Sequence, residues 1–149
     1  KMVYPLCICY GILLCVGVFR SAGLFSATGI GQTITVGSLL NKFVYYFAGV
    51  AITEEILFRV ILLRKLSFLN ELGQKPKWNW AVIVQALIFG AMHGCRFLQT
   101  GQYVNAFVSM AWAAVGGLIY GVVYVKSRSI WAAVFLHGFY DFAVSLAYL

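Results

Sequence analysis

Five long apolar stretches, separated by short polar ones, limit most strongly what this chain can fold into. Each has about 17 to 25 residues, which is enough to cross a bilayer as a helix. Because 62% of the 149 residues are hydrophobic and only 10% are charged, a water-soluble fold of this size would leave too much apolar surface in water. We therefore predict an all-α polytopic membrane bundle of about five transmembrane helices, with residues 1–149 forming a single domain. The stretches run from Met2 to Phe19, Leu39 to Leu63, Trp78 to Gly94, Val104 to Val125 and Ile130 to Leu149.

Basic residues lie mostly between these stretches, which is where membrane proteins keep the charges that set their orientation. The net charge of +7 therefore indicates membrane lipid as a partner and argues against nucleic acid. If all five stretches cross, the two sides carry three and seven basic residues, and the richer side is predicted to be cytoplasmic. The three are Arg20, Lys42 and Arg96, and the seven are Lys1, Arg64, Lys65, Lys75, Lys77, Lys126 and Arg128.

Small residues inside the apolar stretches predict packing. The four cysteines have no CxxC spacing, so we interpret them as small buried hydrophobic residues. The cysteines are Cys7, Cys9, Cys15 and Cys95.

The fourth stretch has no charge and carries small residues at intervals of four, a spacing that lets a neighbouring helix approach closely. The small residues of the fourth stretch are Ala113, Gly117 and Gly121.

Five ionisable side chains fall inside the apolar stretches, although the whole chain has only four acids and two histidines. In hydrocarbon a charged group is unfavourable by about 3 kcal/mol, so such residues are functional-site candidates by default. A lone His or Asp can simply hold two helices together, but five ionisable groups on three stretches make coincidence a poor explanation. The five are Glu54, Glu55, His93, His137 and Asp141.

The two adjacent glutamates are expected to have different roles. Glu55 and Arg59 are four residues apart with the acid first, which favours an ion pair on one helix face. Glu54 is rotated by about 100° around the helix, and the residue four positions after it is Phe58. We therefore predict that Glu54 is a general base and that Glu55 has a structural role.

The histidines lie on the third and fifth stretches. His93 shares a helix face with Phe89, and His137 shares one with Asp141, because each pair is four residues apart. An acid one turn from a histidine can hold the imidazole in a single tautomer. Counting about 1.5 Å per residue from the cytoplasmic ends places Glu54 and His137 about 15 Å deep and Asp141 and His93 about 20 Å deep or slightly more. Helix tilt and a kink can absorb this difference. We expect these groups to converge near mid-membrane, in a site open toward the cytoplasm.

Three motifs occur in order on these stretches: EExxxR at residues 54–59, FxxxH at 89–93 and HxxxD at 137–141. Together they resemble the motifs of the CAAX protease and bacteriocin-processing (CPBP, or ABI) family, the type II CAAX prenyl endopeptidases. The similarity extends from Ala51 to Asp141, within a motif-bearing core of about residues 39–149. It implies a multi-pass intramembrane endopeptidase with a polar cavity and a peptide or prenylated-protein substrate. Asp141 stands where eukaryotic members have Asn, which indicates a protein of the bacterial cell membrane.

The resemblance also implies roles for individual residues. Glu54 corresponds to the general base, and His93 to its partner in holding the attacking water. Glu55 and Arg59 occupy the supporting positions. His137 and Asp141 correspond to the pair that stabilises the oxyanion. An ionised Asp141 cannot donate to an oxyanion, so Asp141 must either be protonated or instead orient His137.

The residues leave a metal site open as an alternative. Two histidines and a carboxylate can bind zinc, so His93, His137 and Asp141 are the alternative ligands. The sequence has no HExxH motif, however, and one glutamate cannot readily serve both as a zinc ligand and as a free base. We therefore predict a glutamate-based mechanism without a cofactor.

Two other functions compete with proteolysis. The first is a non-proteolytic bacteriocin-immunity or membrane-scaffold role, which the same family includes. The second is a small transporter or proton relay, since intramembrane Glu and His can serve both. A transporter favours internal repeats and paired broken helices, and the sequence shows neither.

Overall fold

The computed structural model describes Ile8, residues 10–12, Cys15 and the ranges 35–70 and 79–146. Every regular element in these ranges is a helix, so the predicted all-α class is confirmed. Two described helices, Trp80–Gln99 and Tyr103–Ser127, are long and apolar enough to cross a membrane, and Ile130–Leu146 is apolar but shorter. The first predicted stretch lies largely outside the described residues, and five crossings stay a prediction.

The segments follow one another with few interruptions. From Val36 the chain is helical in six consecutive pieces: α1 (Val36–Val44), a π-helical segment (Tyr45–Ala51), α2 (Ile52–Glu55), a second π-helical segment (Ile56–Leu62), α3 (Leu63–Lys65) and a 3₁₀ turn (Leu66–Asn70). Three longer helices follow: α4 (Trp80–Gln99), α5 (Tyr103–Ser127) and α6 (Ile130–Leu146). The chain divides into two compact units. The first contains residues up to Glu54 and from Val134 onward, and the second runs from Glu55 to Ala133.

Local capping sets where the helices begin and end. Thr35 and Ser38 form a reciprocal capping box at the start of α1, each side chain accepting from the other backbone N–H at 3.1 Å. The end of α4 is a Schellman motif, in which Gln102 N donates to Phe97 O at 2.9 Å and Gly101 adopts φ +72°. Gly101 suits this position because a side chain would be strained there.

Close helix contact in the second unit depends on glycines where α4 meets α5. A Cβ at Gly90 would lie 2.8 Å from Ala114 Cβ and would overlap the Met110 carbonyl oxygen. From the other side, a Cβ at Gly117 would lie 3.1 Å from the ring of Phe89, and one at Gly121 would lie 3.0 Å from Val82. The predicted close approach at Gly117 and Gly121 is therefore confirmed.

Phenylalanines pack the first unit. Phe43 and Phe47 stack with ring centroids 4.3 Å apart, and Phe43 meets Phe142 of α6 edge-on at 5.8 Å. Phe47 also lies against Gly138, where a Cβ would come within 2.8 Å of its ring. These contacts hold α1 and the first π-helical segment against α6, and the contact at Gly138 is next to His137 in the sequence.

Apolar side chains also point outward from the longer helices. Leu87 of α4, Phe107 of α5 and Phe135 of α6 are each more than 60% exposed. Exposed apolar surface on this scale is typical of proteins that contact lipid.

The cysteines differ from the expectation. Cys15 and Cys95 are free thiols on exposed positions, so the prediction that they are buried is wrong for these two. An apolar side chain on a lipid-facing surface need not be covered by protein, because lipid tails solvate it as well as a protein core does. Cys7 and Cys9 lie outside the described residues.

The glycine contacts predict the effect of a single methyl group. We expect Gly90→Ala to lower the free energy of unfolding by about 1–3 kcal/mol, because the added carbon overpacks the α4–α5 contact. Gly49→Ala is the matched control, since its Cβ would meet only Tyr45 at an ordinary 3.8 Å. Thermal unfolding in detergent measures both. A Gly90→Ala protein as stable as Gly49→Ala would contradict the close packing.

Candidate active site

A fully buried ion pair joins Glu55 and Arg59, as the spacing predicts. Arg59 Nη2 donates to Glu55 Oε1 at 3.1 Å, and Arg59 Nε lies 2.9 Å from Glu55 Oε2. Both side chains have no solvent exposure. Because the two contacts use both carboxylate oxygens, the charges neutralise each other inside an apolar environment.

Three aromatic rings surround the guanidinium of Arg59. The rings of Phe89, Tyr120 and Phe58 have their centroids 5.3, 5.9 and 6.0 Å from its central carbon, within the range of cation–π attraction. Phe58 and Phe89 also meet edge-to-face at 4.8 Å. This aromatic cage connects the second π-helical segment with α4 and α5. Sequence reasoning did not include Tyr120, because nothing in its local pattern distinguishes it from an ordinary core tyrosine.

His93 is fixed by the same group of side chains. Its ring packs on Phe89 with centroids 4.4 Å apart, and its Nδ1 lies 2.8 Å from the Phe89 carbonyl oxygen. A carbonyl oxygen can only accept, so Nδ1 must carry the hydrogen. In the neutral ring Nε2 is therefore the acceptor, and this is the nitrogen that can take a hydrogen bond from water.

His137 lies between two carboxylates in the first unit. Its Nε2 is 3.4 Å from Asp141 Oδ2 and 3.8 Å from Glu54 Oε2. The imidazole is almost completely buried, whereas the side chains of Glu54 and Asp141 are 30% and 24% exposed. These are ion-pair distances rather than short hydrogen bonds. Two acceptors facing one nitrogen favour a hydrogen on Nε2.

Neighbouring contacts hold His137 in place. Phe47 packs against Gly138, and the hydroxyl of Tyr10 donates to the carbonyl of Leu136 at 2.7 Å. The residues on both sides of the histidine are thus anchored. Neither Tyr10 nor Phe47 was singled out from the sequence, because an aromatic residue in an apolar stretch carries no signal of its own.

The structure therefore groups the predicted site residues as follows. Glu54, His137 and Asp141 come together in the first unit, while Glu55, Arg59 and His93 belong to the second. The meeting of His93 with Glu54 stays a prediction. A base beside a buried imidazole can activate water and stabilise developing negative charge.

Zinc is the cofactor that the residue types would allow. It requires three or four ligands at about 2.0–2.3 Å. Among the side chains of the described ranges, no group of three or more His, Cys, Asp or Glu residues is arranged to hold a metal ion. The mechanism without a cofactor stays a prediction.

Comparison with protein-family models matches residues 36–143 to the family described as type II CAAX prenyl endopeptidase Rce1-like. The matched range covers most of the chain and contains all three motifs. No curated protein and no solved structure matches the chain. The family resemblance of the motifs is thereby confirmed.

The buried ion pair predicts a large effect of its acid on stability. We expect Glu55→Gln to lower the free energy of unfolding by about 3–5 kcal/mol, because it leaves Arg59 charged in an apolar environment without a counter-charge. Glu54→Gln is the matched control, being the same substitution one residue away on a partly exposed side chain. The yield of folded protein and the thermal midpoint in detergent measure both. Equal losses in the two variants would contradict a structural role specific to Glu55.

Proposed function

The chain belongs to the Rce1-like family of type II CAAX prenyl endopeptidases, and from this premise we propose that it hydrolyses a peptide bond in a membrane-associated or prenylated substrate. The family is membrane-embedded and proteolytic. We further propose that Glu54 activates the attacking water. The excess of basic residues around Arg64 to Lys77 supports a site that opens toward the cytoplasm, and Asp141, in place of the Asn of eukaryotic members, supports a bacterial cell.

One observation carries this proposal: carboxylate oxygens of Glu54 and Asp141 both lie within 4 Å of Nε2 of His137. Keeping three ionisable groups together in an apolar bundle is energetically unfavourable unless they act on a ligand or on one another. The Glu55–Arg59 pair shows the purely structural alternative, because there the charges are fully buried and matched. The partial exposure of Glu54 and Asp141 supports access for water and substrate.

In the proposed reaction, the Glu54 carboxylate takes a proton from water while the water oxygen bonds to the scissile carbonyl carbon. The carbonyl π electrons move to the oxygen, and the Nε2–H of His137 donates to this oxyanion. When the intermediate collapses, the C–N bond breaks and Glu54 returns the proton to the leaving amine. One group thus acts first as base and then as acid.

His93 is proposed to orient the attacking water. Its Nδ1 hydrogen is engaged by the Phe89 carbonyl, so Nε2 of the neutral ring is an acceptor, which is the role that a water-orienting histidine needs. The attacking water would give its other hydrogen to Glu54, as general-base catalysis requires.

Asp141 is proposed to position His137. A carboxylate that faces Nε2 at 3.4 Å keeps the hydrogen on that nitrogen before substrate binds, and the oxyanion then replaces Asp141 as the acceptor of this hydrogen. The nearby carboxylate also stabilises the imidazole when it bears positive charge. Asp141 performs this role as an ionised acceptor, so it does not need to donate to the oxyanion itself.

Replacing the base predicts loss of cleavage without loss of the protein. We expect Glu54→Gln to lower the cleavage rate by about 10²- to 10⁴-fold, because it removes the proton acceptor but little packing. Glu71→Gln, which changes the remaining acid of the chain, is the matched control and should leave the rate unchanged. Mass spectrometry of products from a prenylated membrane peptide measures the rate. Equal cleavage by wild type and Glu54→Gln would contradict the proposed mechanism. No cleavage by either protein would favour the immunity or scaffold role.

The reaction is also expected to survive removal of metal. Activity should persist after exhaustive chelation, and purified protein should contain substoichiometric zinc. His93→Ala and His137→Ala should each be impaired, the latter by about 3–4 kcal/mol of transition-state stabilisation. The decisive contrary result is stoichiometric zinc that disappears in either histidine variant, together with activity restored when zinc is added back to chelated wild type.

A further inference from the structure

The second unit contains a cavity of about 480 Å³ that the proposed reaction does not use. It lies beside α3 and the 3₁₀ turn, near the start of α4 and the end of α5. Most of its lining side chains are polar, and two are arginines. The polar lining residues are Arg59, Arg64, Ser67, Asn70, Asn79 and Tyr124.

The cavity carries a net positive charge. Arg59 is neutralised by Glu55, but Arg64 is exposed and pairs with no carboxylate among the described residues. Ser67 and Tyr124 also line the cavity, and each carries a hydroxyl that can donate a hydrogen bond. A guanidinium with neighbouring hydroxyls is a typical arrangement for binding a phosphate.

The start of α4 does not itself provide the anion site. Asn79 accepts from Val82 N at 3.1 Å, and Asn70 accepts from Ala81 N at 3.3 Å while donating to Asn79. The backbone N–H groups of Ala81 and Val82 are therefore already engaged. The anion-binding capacity of the cavity lies with Arg64 and the two hydroxyls.

The other lining residues are apolar, which indicates an amphiphilic occupant. Val60, Leu63, Ala81 and Val125 form this part of the lining. Leu63 and Ala81 are buried in the protein core, whereas Val60 is partly exposed and Val125 is 41% exposed. A free phosphate would leave the exposed parts of Val60 and Val125 without an apolar partner. A phospholipid matches both parts, with its phosphate at Arg64 and its acyl chains along the apolar side chains.

The surrounding charge favours an anionic lipid. Lys126 follows Val125 near the end of α5, Arg128 lies just past that end, and Lys65 follows Arg64. Basic pockets between membrane helices on the cytoplasmic side typically bind anionic headgroups, to which each nearby basic residue adds attraction. We propose that this cavity is a binding site for one anionic phospholipid, with Arg64, Ser67 and Tyr124 contacting its phosphate.

Native mass spectrometry of the full chain in detergent tests this proposal, with phosphatidylglycerol, phosphatidylcholine or inorganic phosphate as the added probe. We expect phosphatidylglycerol to bind at least tenfold more tightly than phosphatidylcholine. Millimolar inorganic phosphate should not compete with the lipid. Competition at equal concentration would overturn the proposal in favour of a site for free phosphate.

Two variants locate the site. Arg64→Gln should weaken phosphatidylglycerol binding about tenfold, while Arg96→Gln, the same charge change near the opposite end of α4, should alter it less than twofold. Tyr124→Phe removes one hydroxyl with minimal effect on packing and should weaken binding severalfold, which keeps the test valid if Arg64→Gln folds poorly. Equal effects of Arg64→Gln and Arg96→Gln, together with no effect of Tyr124→Phe, would show that only the general surface charge attracts lipid.

Discussion

The placement of Arg59 in an apolar interior is the constraint on which the second unit depends. A lone guanidinium there would be strongly unfavourable, and only the matched charge of Glu55 makes it tolerable. The aromatic rings around it come from three helical segments, so burying this one charge also sets where α4 and α5 pack. Phe89 then transmits the arrangement to His93, because the same residue contacts the guanidinium with its ring and fixes the imidazole with its carbonyl.

What could be predicted from the sequence was mainly what is local along the chain. The Glu55–Arg59 pair follows from a spacing of four on one helix, and Gly117 and Gly121 follow from small residues at the same interval. The cage around Arg59 did not follow, because the approach of Tyr120 depends on which faces of separate helices meet. The same limit applies to Tyr10 and to Phe47, whose contacts with α6 join residues about 90 to 130 positions apart in sequence.

The pattern of apolar residues also does not predict where each helix ends or which type of helix forms. The third stretch was expected to end at Gly94, but α4 continues to Gln99, where the Schellman motif stops it. The sequence predicts one helix over the second stretch, and in the structure Ile52–Glu55 is a single α-helical turn between two π-helical segments. Hydropathy does not distinguish these helix types. π-Helical segments are rare and are frequent at functional sites, which agrees with the position of Glu54 beside His137.

The turn between α4 and α5 has a consequence for how this part of the molecule meets its surroundings. Only Thr100, Gly101 and Gln102 separate the two helices, and a Schellman motif already orders them. Where such a hairpin emerges from a bilayer, the ordered turn offers almost no extended chain for an antibody to bind or for an added protease to cleave. The same tightness leaves little room there for an inserted epitope or reporter, so engineering of this hairpin is better directed to the opposite ends of its helices.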